Sequence, residues 1–245
     1  FANEWELENE NDTKKLIQEA EYIDATGAGI TGGDPLIVWN RVKKYISLLK
    51  ETFGPKFHIH LYTSALQNAD RIEDLVSVGL DEIRFHPFPR FWSDMDNNPI
   101  NKSIKNALKT ETDVALEIPA IPNMKQEIFS LIKWSDNNGL QWINLNELEY
   151  SERNVEFLNN RNYVVKNDIS AAVKGSQETA ISIINMVKSE NLNIGVHYCS
   201  VSFKDGIQLK NRIKRRARNV AKGHEKISEE GTIIKGVIYK PGKSI

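Results

Sequence analysis

Apolar residues along this chain alternate between two spacings. Short runs rich in Ile, Val, Leu and Phe, bounded by turn residues, are followed by longer stretches in which apolar positions recur every three or four residues. The first spacing predicts strands and the second helices. Leu36, Val38, Val42, Ile46 and Leu49 mark one helical stripe, over 36–53. In chain order the pattern predicts a helix over 10–21, capped by Asn11 or Asp12, a strand over 22–31 and the helix just described. A strand over 57–63, a helix near 69–78 and a strand over 82–86 follow. After a loop holding Pro87, Pro89 and Trp92 come a helix over 102–109, a strand over 113–118 ending at Pro119, and a helix over 125–137. A strand over 142–146, an Asn-rich stretch over 159–168, a helix over 178–190 and a strand over 194–198 complete the alternation.

Repeated strand–helix units imply a parallel sheet with crossover helices. Roughly six to eight such units close or nearly close a barrel, whose chemistry sits at the C-terminal strand ends. Here those ends are polar: Thr31-Gly-Gly-Asp-Pro35, His60-Leu-Tyr62-Thr63-Ser64, Arg84-Phe-His86-Pro87, Glu117-Ile-Pro119, Asn144-Leu-Asn146-Glu147 and His197-Tyr198-Cys199. Each alone has an ordinary structural use, as a helix cap, a hydrogen-bonded core histidine or a rim ion pair. A succession of them is best explained by a ligand-binding rim, because unpartnered polar groups are costly to bury. In Gly32-Gly33-Asp34-Pro35 two glycines bare the backbone, an acid follows, and a proline is placed to open a helix.

Composition narrows the class. The 245 residues are 40% hydrophobic and 27% charged, enough for one large domain with a sizeable core. No apolar run approaches about 18 residues, so no membrane span is expected. A single cysteine, Cys199, excludes an internal disulfide framework and suits a reducing, cytoplasmic setting. Cys199 itself reads most simply as a buried thiol. The histidines give no complete metal-ligand set: His58 and His60 share one face of a strand, but a third ligand must come from elsewhere.

The last part of the chain differs in character. Residues 204–226 hold nine Lys or Arg against two acids. Leu209, Ile213, Ala217 and Val220 form an apolar stripe, with Lys210, Lys214, Arg218 and Lys222 on another row. The like charges on that row would be relieved by RNA or by an acidic protein. A strand is expected over 231–239, with Gly236 as a bulge and Pro241-Gly242 ending it. The chain thus divides into 1–203, the barrel, and 204–245, a basic helix with a β extension.

Thr31-Gly-Gly-Asp-Pro-Leu36 resembles the Gly-Gly-Glu-Pro motif of the radical S-adenosylmethionine superfamily, which follows that family's second strand. Asn3-Glu4, His60-Leu-Tyr-Thr63, Ile118-Pro-Ala-Ile-Pro122 and Asn144-Leu-Asn-Glu-Leu-Glu149 are similar to an archaeal-type group related to the pyruvate formate-lyase activating enzyme. The resemblance spans most of 1–205, and only its Gly-Gly-Asp-Pro piece is specific to the superfamily. It implies an α/β fold, a partial (β/α)6-type TIM-like barrel lacking its first strand. It also implies an enzyme that binds S-adenosylmethionine and, in the intact protein, a 4Fe–4S cluster, and that generates a 5′-deoxyadenosyl radical to abstract hydrogen from a substrate. Gly32, Gly33, Asp34 and Pro35 would take the methionine amine, and Arg84 its carboxylate. Thr63 or Ser64 would take the ribose, and Pro119 or Asn146 would flank the adenine. His86, Glu117, His197 and Cys199 would face the substrate. An electron donor such as ferredoxin or flavodoxin is implied as a partner.

Two departures stand out. Asp34 replaces the usual Glu, and the family's Cys-x3-Cys-x2-Cys cluster loop is absent, its cysteines being expected upstream of Phe1. Two other classes therefore stay open. One is an acid/base barrel enzyme using Asp34, Glu117, His86 or His197, and the other is a cluster-less binding module that presents the basic helix to RNA.

Overall fold

The computed structural model describes residues 12–167 and 170–238. Its elements run α1 (Thr13–Tyr22), β1 (Gly27–Ile30), α2 (Trp39–Phe53), β2 (His58–Thr63), α3 (Ile72–Val76), β3 (Glu82–Phe85), α4 (Asn101–Ala107), β4 (Asp113–Ala120), α5 (Lys125–Asn137) and β5 (Trp142–Glu147). Then come α6 (Val155–Asn159), β6 (Val165–Asn167), β7 (Ser170–Val173), α7 (Ser176–Ser189), β8 (Gly195–Cys199), α8 (Val201–Phe203), α9 (Lys210–Val220), β9 (Lys226–Ile227) and β10 (Ile233–Ile234).

The chain forms two compact units, one over Thr26–Val201 and one from the described parts of Phe1–Ala25 and Ser202–Ile245. Within the first, six strands pair in the order β1-β2-β3-β4-β5-β8, all parallel. This is the expected partial barrel. The two faces of the sheet differ sharply. Ile59, Leu61, Ile83, Phe85, Val114, Leu116, Ile118, Ile143 and Leu145 point to one face and are buried. Leu36 and the α2 stripe of Val42, Ile46 and Leu49 are buried too, and α7 packs on β4, β5 and β8. Truncating one of these side chains, as in Ile83→Ala, costs about 2–5 kcal/mol. The other face carries His60, Tyr62, Arg84, Glu117, Trp142, Asn144 and Asn146, mostly half-buried. Period-two alternation alone sorts the two sets.

Several expected boundaries move for local reasons. The strand expected over 22–31 shrinks to β1, because α1 continues through Tyr22 and Asp24 then takes a left-handed φ of 50°. The helix expected from Leu36 opens as a 3₁₀ turn, Pro35–Val38, capped by Asp34, before α2 proper begins. The Asn-rich stretch contains β6, which pairs antiparallel with β7. Ser176, fully buried, ties the start of α7 to the sheet: its Oγ donates to the Ala120 carbonyl at 2.7 Å and accepts from the Leu148 amide at 2.8 Å.

In the second unit, α9 lies against α1. Arg216 forks onto the Glu19 carboxylate at 2.8 and 2.9 Å, Arg215 donates to the Ile23 carbonyl at 2.8 Å, and Asn219 donates to the Tyr22 carbonyl at 3.0 Å. The Arg216 hydrogen bond holds the Glu19 carboxyl below its ordinary range. Of the expected apolar stripe Ala217 is buried while Ile213 stays exposed, and the helix ends before Lys222. The strand expected over 231–239 is only β10, paired with β9. Gly236 lies outside it, and Tyr239, Pro241 and Gly242 lie outside the described residues.

Candidate functional site

The pairing register stacks the polar face into rows. His60 lies beside Glu82, Tyr62 beside Arg84, Glu117 beside Asn144 and then His197, and Pro119 beside Asn146 and then Cys199. Residues far apart in sequence therefore meet at the C-terminal strand ends, where barrels do their chemistry.

One node is the loop after β1. The Asp34 carboxylate accepts four hydrogen bonds: Oδ1 from Thr63 Oγ1 at 2.7 Å and the Leu36 amide at 3.1 Å, and Oδ2 from the Ser64 amide at 2.9 Å and Ser64 Oγ at 2.5 Å. Burial pushes this carboxyl up, but the Ser64 and Thr63 hydrogen bonds more than offset it and leave it below its usual value. All four acceptor positions of the carboxylate are in use. Asp34 is thus a clamp between the loop and the end of β2, not an open anion. Thr63, expected to meet a ribose, is 2% exposed and points to the apolar face; its Oγ1 also accepts from the Ala65 amide. Gly32, held at φ 127°, and Gly33 are exposed, with nothing within 4 Å of where a Cβ would sit. The clamp therefore presents bare backbone to solvent.

The second node is built on Arg84. Its Nε donates to Glu82 Oε1 at 2.5 Å, and its Nη1 donates to Glu117 Oε2 at 3.0 Å and to the Tyr62 hydroxyl at 3.2 Å. Burial lowers the affinity of Arg84 for its proton, but its interactions with Glu82, Tyr62 and Glu117 together raise it more, and the guanidinium stays charged. Arg84, expected to fork onto a ligand carboxylate, is paired internally with two glutamates. Glu117 also accepts from Asn146 Nδ2 at 2.8 Å and Asn144 Nδ2 at 3.2 Å. His86 stacks on Tyr62 with ring centroids 5.7 Å apart, and burial keeps its imidazole below the ordinary histidine pKa. Burial also raises the Tyr62 hydroxyl to about 12 and lowers His60 to about 4. His197 is exposed and Cys199 half-buried on β8, at the far edge of the same face.

Glu82 and Trp142 are the members that sequence reasoning missed. Trp142 Nε1 donates to Glu82 Oε1 at 3.1 Å. The period-two pair Glu82-Ile-Arg84 was the available signal, since it sets an acid and a base on one face of a strand.

No protein-family profile matches the chain. Its partial parallel β/α barrel is the fold of the solved structures it is similar to, and the resemblance read from Thr31–Leu36 agrees with those likenesses. A protein of Methanocaldococcus jannaschii assigned as a glycyl-radical enzyme activating enzyme is 40% identical over 230 residues, which are 92% of this chain and 60% of that protein. The chain thus spans about three-fifths of the length of this curated relative. Among solved structures, Streptococcus suis SuiB bound to S-adenosylmethionine superposes with a TM-score of 0.53 at 11% identity, covering 95% of this chain and 54% of SuiB. SuiB bound to its precursor peptide SuiA gives 0.53 at 12% identity, covering 95% and 53%.

Proposed function

We propose that this chain is the barrel of a radical S-adenosylmethionine enzyme that activates a protein or peptide substrate. The observation that carries the reading is the open Gly32–Gly33 backbone, fixed at a strand end by the fully engaged Asp34. An ammonium group needs acceptors, and Thr31, Gly32 and Gly33 of this loop are exposed. In this role Asp34 positions the loop and does not itself contact the amine. Ser64, which itself forms the clamp, and Pro119 with Asn146 would border the ribose and adenine. The Glu117–Asn144–Asn146 cluster faces the same side. When bound, S-adenosylmethionine would supply the 5′-deoxyadenosyl group for hydrogen abstraction, given one electron from a separate donor and with methionine leaving as the C5′–S bond breaks. The chain's own residues bind and orient the cofactor and set the polarity around it.

A 4Fe–4S cluster requires several thiolates, and the single Cys199 does not supply them. These residues therefore do not fit that group. A peptide-like substrate is supported by the assigned role of the relative and by the peptide-bound SuiB structure. It is also supported by Ile37, Leu66 and Phe88, large apolar side chains 44–55% exposed on the loops that follow β1, β2 and β3. For RNA the structure adds nothing, since α9 commits Lys210 to Glu230 and Arg216 to Glu19. No helix among the described residues is long and apolar enough to cross a membrane.

The test is equilibrium dialysis of radiolabelled S-adenosylmethionine against the chain, with and without Asp34→Ala. Saturable binding weakened by roughly tenfold or more, equivalent to about 1.4 kcal/mol, supports the assignment. No saturable binding by the unsubstituted chain up to about millimolar ligand would overturn it.

A further inference from the structure

A second chemical constellation lies lower on the same face. His58 and His60 on β2 and Glu82 on β3 bring one donor atom each within 4.8 Å of one another. His58 Nε2 stands 3.1 Å from Glu82 Oε2, and His60 is the direct cross-strand neighbour of Glu82. The third ligand that the sequence lacked for the histidine pair is thus supplied by pairing register.

Three features distinguish this group from a chance ion pair. First, the Glu82 side chain is 1% exposed and its Oε1 is fixed by Arg84 Nε and Trp142 Nε1, while Oε2 turns to His58 with only a longer contact, 3.3 Å, from Arg84 Nη2. That is how second-sphere donors orient a ligating carboxylate. Second, β1 is cut away opposite the histidines. Gly29 is paired with His60, and a Cβ there would lie 2.6 Å from His60 Nε2; one on Gly27 would run into the His58 carbonyl oxygen. Gly29 makes room for the His60 imidazole, and Gly27 lets β1 approach the His58 main chain. Third, Glu82, Glu117 and Arg84 together carry one net negative charge, so a dication meets a favourable field despite the nearby guanidinium.

We propose that His58, His60 and Glu82 bind a divalent first-row transition-metal ion, zinc or ferrous iron, at a site separate from the strand-end cofactor site. Two imidazoles and a carboxylate suit both metals, and ligands from adjacent strands leave further coordination positions open. Bond lengths of about 2.0–2.2 Å require donor atoms roughly 3.4 Å apart, so binding draws the three donors together. His60 gives up its 3.0 Å bond to the Tyr62 hydroxyl if it ligates through Nε2. The ion then pins β2 to β3 below the Tyr62–Arg84 row.

The experiment uses the tag-free chain, stripped with chelator and dialysed against Zn²⁺, with bound metal measured by mass spectrometry and fold checked by circular dichroism. A Co²⁺ visible spectrum reports imidazole–carboxylate ligation directly. One zinc per chain is expected, with affinity lowered roughly tenfold or more in His58→Gln and His60→Gln. Because His58 is half-exposed, its variant tests ligation without emptying a core position. Tyr62→Phe, which releases His60, should bind at least as tightly as the unsubstituted chain. Absence of 1:1 binding up to about 0.1 mM Zn²⁺, or equal affinity in folded His58→Gln and His60→Gln, would overturn the site. Either result leaves S-adenosylmethionine binding, measured separately, unaffected.

Discussion

Asp34 and Ser64, thirty positions apart in the chain, are joined by two hydrogen bonds, Oγ to Oδ2 at 2.5 Å and backbone amide to the same oxygen at 2.9 Å. The pair fastens the loop leaving β1 to the loop leaving β2. It thereby sets the position of Gly32 and Gly33, whose exposed backbone carries the functional reading.

Asp34→Ala removes the acceptor of four hydrogen bonds and uncaps the turn Pro35–Val38. Loss of about 1–3 kcal/mol in chemical denaturation is expected, since a charged acceptor leaves several donors unmatched. Asp34→Asn keeps the shape but offers one oxygen, and should fall between Ala and the unsubstituted chain.

Gly29 and Gly33 provide an opposed pair. Gly29→Ala pushes a methyl against the His60 ring and should destabilise the fold. Gly33→Ala meets open space and is at a φ that side chains tolerate, so its unfolding midpoint should barely move. If S-adenosylmethionine approaches the bare loop, Gly33→Ala should nevertheless weaken its binding. Unchanged affinity in that variant would remove the close approach.

Arg84 sits between two carboxylates at 18% side-chain exposure. Arg84→Met leaves Glu82 and Glu117 without their cation and should cost about 3–5 kcal/mol. Lysine should not restore it, because one ammonium cannot span both carboxylates as a guanidinium does. Melting of Arg84→Lys close to the unsubstituted chain would show that the fork is dispensable.

The polar face was legible in the sequence to the extent that period two fixes it. His58, His60 and Tyr62 had to share a side of β2, and Glu82 and Arg84 a side of β3. Which rows meet was not legible, because register depends on tertiary packing. For that reason the pairing of Arg84 with Glu82 and Glu117 is not legible from sequence, whereas alternation alone turns Thr63 toward the core. Ser176 shows a further limit: nothing local marks a serine just ahead of the expected helix as the buried link between the Ala120 carbonyl and the Leu148 amide. The end of α1 was missed because Tyr22 and Ile23 suit a strand as well as a helix, and the deciding feature was a left-handed Asp24.

His86 gives a prediction with a definite sign. Burial lowers its pKa below 6.5, so the folded protein holds it neutral while the unfolded chain takes up a proton first. Its contribution to stability is therefore complete above the unfolded value of about 6.5 and is lost as pH falls below that toward the folded value. Urea midpoints should decline between about pH 8 and pH 5, and His86→Gln should flatten part of that decline. His60, lowered to about 4 for the same reason, acts in the same direction, so the double variant with His60→Gln should flatten it further. An identical slope in His86→Gln would mean that the imidazole becomes charged in the folded state and that its stack on Tyr62 tolerates the charge.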